Sequence, residues 1–133
     1  MNKIEHIGIA VSSLDKSARI FELLLGKPSY KLEEVASEKV NTLFFGLGES
    51  KIELLESTDP EGTIASFIRK RGEGFHHVAI AVEDILFEMK RLQDAGFELI
   101  HKEPKAGADN KLICFLHPKS TNGLLVELCQ EKP

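Results

Sequence analysis

The sequence predicts an α+β fold made of two tandem βαβββ modules. A strand-like segment that begins at His6 returns with similar residues at His77, 71 residues later. Each copy precedes an amphipathic segment of helical period and then several strand-like runs separated by turn residues. We therefore expect the 133 residues to form a single domain, with module 1 at about 1–62, a linker helix at 63–74 and module 2 at about 75–133.

The first module is predicted from its local signals. Residues 6–11 alternate β-branched side chains with other residues, which is typical of a strand. Ser12 or Ser13 can cap a helix over residues 14–25, which Gly26 would end. Three further strands are expected at residues 30–35, 41–45 and 51–55, with a turn at residues 46–48.

The second module repeats these signals in the same order. Residues 77–82 form its first strand, Asp84 can cap the following helix, and Gly96 would end that helix. Further strands are expected at residues 97–102, 112–116 and 124–129, with a turn at residues 118–123. Between the modules, Thr63 can cap a short linker helix that ends before Gly72.

Composition and charge restrict the kinds of partner that this protein is expected to bind. The net charge is −4 and the Lys and Arg residues are scattered, which argues against a nucleic-acid surface. The chain has no signal-peptide pattern at its N-terminus, and no apolar run approaches the ~20 residues of a membrane helix. We expect a cytoplasmic protein with a small-molecule partner and no nucleic-acid or membrane partner. Cys114 and Cys129 lack CxxC spacing and are expected to be reduced structural thiols.

Small residues accompany the repeated histidine in both modules. Residues two apart in a strand share a face, so His6 lies beside Gly8 and Ala10. His77 has Ala79 and Ala81 in the same positions. A sheet face with so little side-chain volume next to a histidine leaves room for a metal and a substrate.

A carboxylate recurs in the last strand of each module. Glu53 follows His6 by 47 residues, and Glu127 follows His77 by 50 residues. Each glutamate stands between apolar neighbours, where a charge is costly to bury without a partner. Two imidazoles and two carboxylates around one divalent cation would supply that partner and balance the charge. The repeat therefore predicts a metal site formed by His6, Glu53, His77 and Glu127.

These residues also have a simpler, structural interpretation. A single histidine at the start of a strand is usually solvated or hydrogen bonded, and a single strand glutamate such as Glu53 is usually exposed. Four such residues that obey one repeat favour the metal site. His76, His101 and His117 obey no such repeat, so for them the structural interpretation is kept.

These motifs resemble the vicinal oxygen chelate (glyoxalase/bleomycin resistance/dioxygenase) superfamily, and within it the methylmalonyl-CoA epimerase family. The resemblance covers essentially the whole chain. The strand motifs that carry the predicted ligands point to the superfamily, whereas His-Pro-Lys-Ser at 117–120 and Glu-Pro-Lys-Ala-Gly at 103–107 point to the epimerases. The resemblance implies an open, eight-stranded, cup-shaped sheet around the metal site, and a homodimer.

The resemblance also implies a metal-dependent epimerase that interconverts (2R)- and (2S)-methylmalonyl-CoA. Removal of the α-proton of this CoA thioester would leave an enolate chelated by the metal. The divalent metal would be cobalt, manganese, zinc or nickel. Nitrogen and oxygen ligands bind all four, so the ligand set does not select one of them. Glu127 is the expected catalytic base on one face of the α-carbon. Lys105 and Lys119 are expected to bind the CoA phosphates.

Two positions depart from similar enzymes. Some of those enzymes carry glutamine at the position of Glu53. The glutamate that some of them use as a second base is expected to be replaced here by Asn41. The candidates for proton transfer on the opposite face are then Glu38 and a metal-bound water.

Other functions fit the same two modules. A glyoxalase-type isomerase acting on a glutathione adduct, or an iron-dependent ring-cleaving dioxygenase with a His, His, Glu site, would use the same scaffold. A metal-free small-molecule-binding module that sequesters drugs would also be a paired βαβββ fold. Intact metal ligands argue against that module, and metal analysis of the purified protein distinguishes it.

Overall fold

The structure is a computed structural model that describes residues 1–132. It contains two βαβββ repeats joined by one helix, which confirms the predicted fold class. The first repeat comprises β1 (Lys3–Ala10), α1 (Leu14–Leu25), β2 (Lys31–Val35), β3 (Val40–Leu47) and β4 (Ser50–Ser57). Helix α2 (Thr63–Arg71) leads to β5 (Gly74–Ala81), α3 (Ile85–Asp94), β6 (Lys105–Ala106), β7 (Lys111–Leu116) and β8 (Val126–Glu131). None of the helices in residues 1–132 is long and apolar enough to cross a membrane.

The strands are hydrogen bonded in the order β2-β3-β4-β1-β5-β8-β7-β6, which confirms the expected eight strands in one sheet. The contacts between residues divide the chain into two compact units. One unit is Ile7–His76, and the other combines Met1–His6 with the chain from His77 onward. The beginning of β1 therefore belongs to the same unit as most of β5 and all of β8. This grouping positions the site described below.

In the unit Ile7–His76, helix α1 has the predicted bounds. The side chain of Ser13 accepts a hydrogen bond from the Lys16 backbone N–H, and Gly26 ends the helix with a left-handed φ of 72°. A residue with a side chain is strained in that conformation, which explains the glycine. The apolar face of α1 covers one side of its strands, in a core formed by Val11, Leu14, Leu43, Phe45 and Leu54.

Helix α2 differs from the prediction at its first turn. The cap is Gly62 rather than Thr63, and no side chain caps the helix. A Cβ at Gly62 would come within 2.7 Å of the Ser57 hydroxyl oxygen, so a larger residue would force this side chain to shift. Ile64 of α2 packs against Ala10, so the space expected beside this small residue is filled by the linker helix.

In the other unit, α3 also begins at its predicted cap. Asp84 Oδ1 accepts a hydrogen bond from the Phe87 backbone N–H at 3.1 Å. The helix packs on one face of β5, β7 and β8, in a core formed by Val82, Ile85, Met89, Leu92, Cys114, Leu116, Val126 and Leu128. The strand expected at residues 97–102 is reduced to a single bridge between Leu99 and Leu116, and β6 has two residues. Pro104 lies between the bridge and β6 and has no N–H for a ladder hydrogen bond.

Candidate metal site

Three of the four predicted ligands, His6, His77 and Glu127, lie together in one compact unit. Glu127 of β8 is paired with Ala79 of β5 on one side and with Phe115 of β7 on the other. His77 precedes Ala79 by two residues and therefore shares its face. His6 comes from β1, whose first residues join β5 through a hydrogen bond from the Asn2 N–H to the Ala81 carbonyl at 2.9 Å. Because Ala79 is small, the Glu127 side chain has room to lie against the histidines.

The three side chains form a close, buried cluster. His6 Nε2 lies 3.0 Å from His77 Nε2. Glu127 Oε1 lies 3.2 Å from His77 Nε2 and 3.7 Å from His6 Nε2. The two imidazole rings are nearly perpendicular, at 86°. Only 4%, 4% and 5% of the surfaces of His6, His77 and Glu127 are exposed.

These distances fit three ligands of one cation. Ligand atoms at ~2.1 Å from a cation are ~3.0 Å apart at a right angle and ~3.4 Å apart at the tetrahedral angle. The three measured separations, between 3.0 and 3.7 Å, span these values. Two imidazoles and a carboxylate suit Co²⁺, Mn²⁺, Zn²⁺ and Ni²⁺, and they are also the ligand set of iron-dependent oxygenases, so Fe²⁺ fits as well. His6, His77 and Glu127 could therefore hold a divalent cation together.

The histidines also determine the charge of Glu127. Burial by itself raises the pKa of this carboxyl group, but its interactions with the nearby rings of His6 and His77 lower it more. The net pKa of Glu127 lies well below its ordinary value. Glu127 is therefore ionised at neutral pH, which is the form that binds a cation.

Two further buried side chains contact this cluster. Glu5 Oε1 lies 2.7 Å from His6 Nδ1, the ring nitrogen that faces away from His77. The Cys129 thiol donates a hydrogen bond to Glu127 Oε2 at 3.4 Å. No role was predicted for Glu5, and only a structural role was predicted for Cys129. The signals were present, since Glu5 directly precedes a predicted ligand and Cys129 lies two residues after another, on its face of the strand.

Glu53 belongs to the other unit and is not one of these three residues. It is 4% exposed and lies on β4 opposite Phe44 of β3. A buried carboxylate on a strand requires a polar or charged partner, as the sequence implied. Its role as a fourth ligand stays a prediction.

The register of β3 corrects the expectation for Asn41. Asn41 is paired with Glu56, whereas Thr42 is paired with Leu55. Residues two apart share a face, so Thr42 lies on the face of Glu53 and Asn41 lies on the opposite face. Asn41 is therefore wrong as the residue that replaces a base beside Glu53. Thr42, which is 1% exposed, occupies that face.

The remaining candidates lie at the surface or in partly buried positions. Glu38 ends the short 3₁₀ helix Ala36–Glu38 and is half-buried. Lys119 Nζ lies 3.1 Å from Glu98 Oε1 in an exposed ion pair, and such pairs contribute little to stability. Lys105 is the first residue of β6 and is half-buried.

The other histidines have structural contacts, as expected. His76 meets Phe67 of α2 edge to face, with ring centroids 4.9 Å apart. His101 lies 6.1 Å from the Phe115 ring. His117 Nδ1 accepts a hydrogen bond from the Lys119 N–H and caps the 3₁₀ helix Pro118–Ser120.

Most of the chain matches one family model. Residues 5–115 match the model of the glyoxalase/bleomycin resistance protein/dioxygenase superfamily. The chain belongs to this superfamily. The match begins at Glu5 and includes His6 and His77.

Individual relatives are similar over nearly the full chain. The ethylmalonyl-CoA/methylmalonyl-CoA epimerase of Cereibacter sphaeroides is 38% identical over 98% of this chain and 98% of its own length. The uncharacterized protein YqjC of Bacillus subtilis is 39% identical over 99% of this chain and 94% of its own. A variant of Streptomyces coelicolor methylmalonyl-CoA epimerase, solved with 2-nitronate-propionyl-CoA, has a TM-score of 0.93 and 28% identity, covering 100% of this chain and 99% of that one.

Proposed function

We propose that this superfamily member is a metal-dependent epimerase that interconverts (2R)- and (2S)-methylmalonyl-CoA. The observation that supports this most strongly is the buried His6, His77 and Glu127 cluster in a chain 38% identical to an ethylmalonyl-CoA/methylmalonyl-CoA epimerase. The substrate would be a CoA thioester, the type of ligand bound by the S. coelicolor relative.

His6, His77 and Glu127 would hold the divalent cation, with Glu53 as a proposed fourth ligand. When bound, the cation supplies Lewis-acid stabilisation of the negative charge that develops on the thioester oxygen as the α-proton leaves. The low exposure of the three side chains keeps bulk water from competing for their ligand atoms. Phe115 meets His77 edge to face, with ring centroids 5.6 Å apart, and limits the movement of this ring.

Glu127 is also proposed as the base on one face of the α-carbon. Oε1 faces the histidines, so Oε2 is the oxygen that could accept a proton. Oε2 accepts a hydrogen bond from Cys129, but a thiol is a weak donor and can release it at little cost. The lowered pKa of Glu127 suits the ligand role better, because a general base works best with a pKa near the operating pH. The two roles are therefore tested separately.

Inversion of the α-carbon requires proton transfer on the opposite face as well. The proposed candidates for this second group are Glu38 and a metal-bound water. Lys105 and Lys119 are proposed to bind the CoA phosphates. Lys119 would exchange Glu98 for a phosphate, which is possible because both side chains of the pair are exposed.

One set of assays tests the function. Metal-loaded protein is given methylmalonyl-CoA, a glutathione hemithioacetal and a catechol in separate reactions, with the His77→Ala variant as the control for contaminating activity. We expect turnover of methylmalonyl-CoA alone, and none by the variant. Turnover of only the hemithioacetal would identify a glyoxalase-type isomerase. A protein that binds no metal and turns over none of the three would be a binding module.

A cytoplasmic location and a homodimer are part of the proposal. The two cysteines are buried thiols that form no disulfide with each other, which fits a reducing compartment. Sedimentation velocity of the purified protein tests the dimer, and a species of 14.8 kDa alone would contradict it.

A further inference from the structure

We infer that Glu5 is a positioning residue of the metal site. Its carboxylate accepts the Nδ1–H of His6 and thereby fixes the tautomer and the ring orientation in which Nε2 is free to bind a cation. The inference rests on the metal site of the proposed function.

The contact between the two side chains is short and buried. Glu5 Oε1 lies 2.7 Å from His6 Nδ1, the usual length of a charge-assisted hydrogen bond. Glu5 is 6% exposed and His6 is 4% exposed, so water competes little for either group. A carboxylate is a hydrogen-bond acceptor, so the ring nitrogen is the donor. The hydrogen of the neutral His6 ring is then on Nδ1.

The other ring nitrogen points at the cluster. His6 Nε2 lies 3.0 Å from His77 Nε2 and 3.7 Å from Glu127 Oε1. A neutral imidazole has one N–H and one lone pair, so a hydrogen on Nδ1 leaves the lone pair on Nε2. Without an acceptor at Nδ1, the hydrogen would be free to move to Nε2 and block the ligand atom. Histidine ligands in proteins are commonly oriented in this way by a carboxylate.

A purely structural hydrogen bond would be the alternative. Glu5, His6 and Cys129 have polar atoms that all lie within 4.8 Å of one another, so Glu5 is part of a small buried polar group. A structural role predicts a loss of stability when Glu5 is changed, with no preference between the two His6 tautomers. A positioning role predicts a defined tautomer in the metal-free protein and a loss of metal affinity in a folded variant.

The tautomer is measured first, in the wild-type protein without metal. Nitrogen-15 spectra of the histidine side chains distinguish Nδ1–H from Nε2–H, and the signals missing from a His6→Asn variant assign His6. We expect His6 to be in the Nδ1–H form. An Nε2–H form would overturn the inference, whatever the behaviour of the variants.

Metal affinity is measured second, by calorimetry with Co²⁺. Glu5→Leu should bind Co²⁺ ~10–100-fold more weakly than the wild type, the usual effect of losing such a partner. Glu5→Gln should lose less, because its amide oxygen can still accept the Nδ1–H. Glu83→Gln, a change of an exposed glutamate of the same unit, is the matched control and should bind as the wild type does. A folded Glu5→Leu variant with wild-type affinity would overturn the inference.

The outcomes separate this inference from the proposed function. If the wild type itself fails to bind Co²⁺, the metal site of the proposed function is wrong, and the tautomer spectrum still decides whether Glu5 orients His6. If Glu5→Leu does not fold, Glu5→Gln and the wild-type spectrum decide. Normal epimerase activity of the wild type combined with an unaffected Glu5→Leu variant would refute the role of Glu5 alone.

Discussion

His6 Nε2 and His77 Nε2 lie 3.0 Å apart, although 71 residues separate them in the chain. At this distance the two lone pairs would repel each other unless a hydrogen or a cation lay between them. Glu127 Oε1, at 3.2 Å from His77 Nε2, completes a group of three ligand atoms that could hold a cation.

Replacing one histidine should abolish metal binding without unfolding the protein. His77→Ala removes one of three clustered ligand atoms, so Co²⁺ binding measured by calorimetry should be lost while the circular dichroism spectrum stays unchanged. Val78→Asp is the contrasting variant, because Val78 packs against the core beneath α3 and a buried, unpaired carboxylate there should unfold the protein. Loss of the fold in His77→Ala would instead favour a structural histidine.

Replacing Glu127 by glutamine separates its two proposed roles. The amide keeps an oxygen ligand but cannot act as a base, so turnover should fall at least ~10²-fold while bound Co²⁺ falls much less. Glu131→Gln, on the same strand but with an exposed side chain, should retain turnover. If Co²⁺ binding is lost together with turnover, Glu127 acts as a ligand only. If turnover is normal, neither role holds.

Solvent deuterium should appear at the α-carbon of the product. A base that returned the same proton to the same face would restore the original configuration, so inversion requires a second group on the other face. Epimerisation in deuterium oxide, followed by mass spectrometry of the product, measures this exchange. Product without deuterium would contradict a path with two acid/base groups.

Asn41→Glu should not raise the rate, although the sequence by itself suggested that a carboxylate there would serve as a base. Asn41 lies directly opposite Glu56, so the variant places two carboxylates across a strand pair and should lose ~0.2–1 kcal/mol of unfolding free energy. Asn41→Gln is the neutral control and should keep its stability. Urea denaturation and the epimerase assay together measure both effects. An increased rate in Asn41→Glu would show that the β3 register is wrong.

The buried thiol of Cys114 should make stability depend on pH in alkaline solution. Burial raises the pKa of Cys114 above its ordinary value of 9.0, and an interaction with the His101 backbone offsets this only partly. The folded state therefore holds this proton more tightly than the unfolded state does. The associated stability is present below pH 9 and is lost as the pH rises through the folded-state pKa. Urea denaturation between pH 8 and about 10.5 should show a steeper decline in the wild type than in Cys114→Ala. Equal slopes would contradict the raised pKa.

Much of the fold was predictable because it depends on local order and on a repeat. The alternation around His6 and His77, the caps Ser13 and Asp84 and the stop at Gly26 were all correct. These features depend on periodicity and on backbone conformations that few residues adopt. Both can be recognised from the order of residues alone. The repeat also singled out His6, His77 and Glu127, which the structure brings together.

The tertiary structure decided what depends on pairing between strands. Asn41 and Thr42 are neighbours in the chain, and only the register with β4 shows that Thr42 shares a face with Glu53. Glu5 and Cys129 lie near predicted ligands in the sequence, and only the side-chain positions in the structure show that they contact His6 and Glu127. The physical reason is that strand side chains alternate with a period of two. The sequence determines which residues alternate, but a shift of one residue in pairing sends each side chain to the other face.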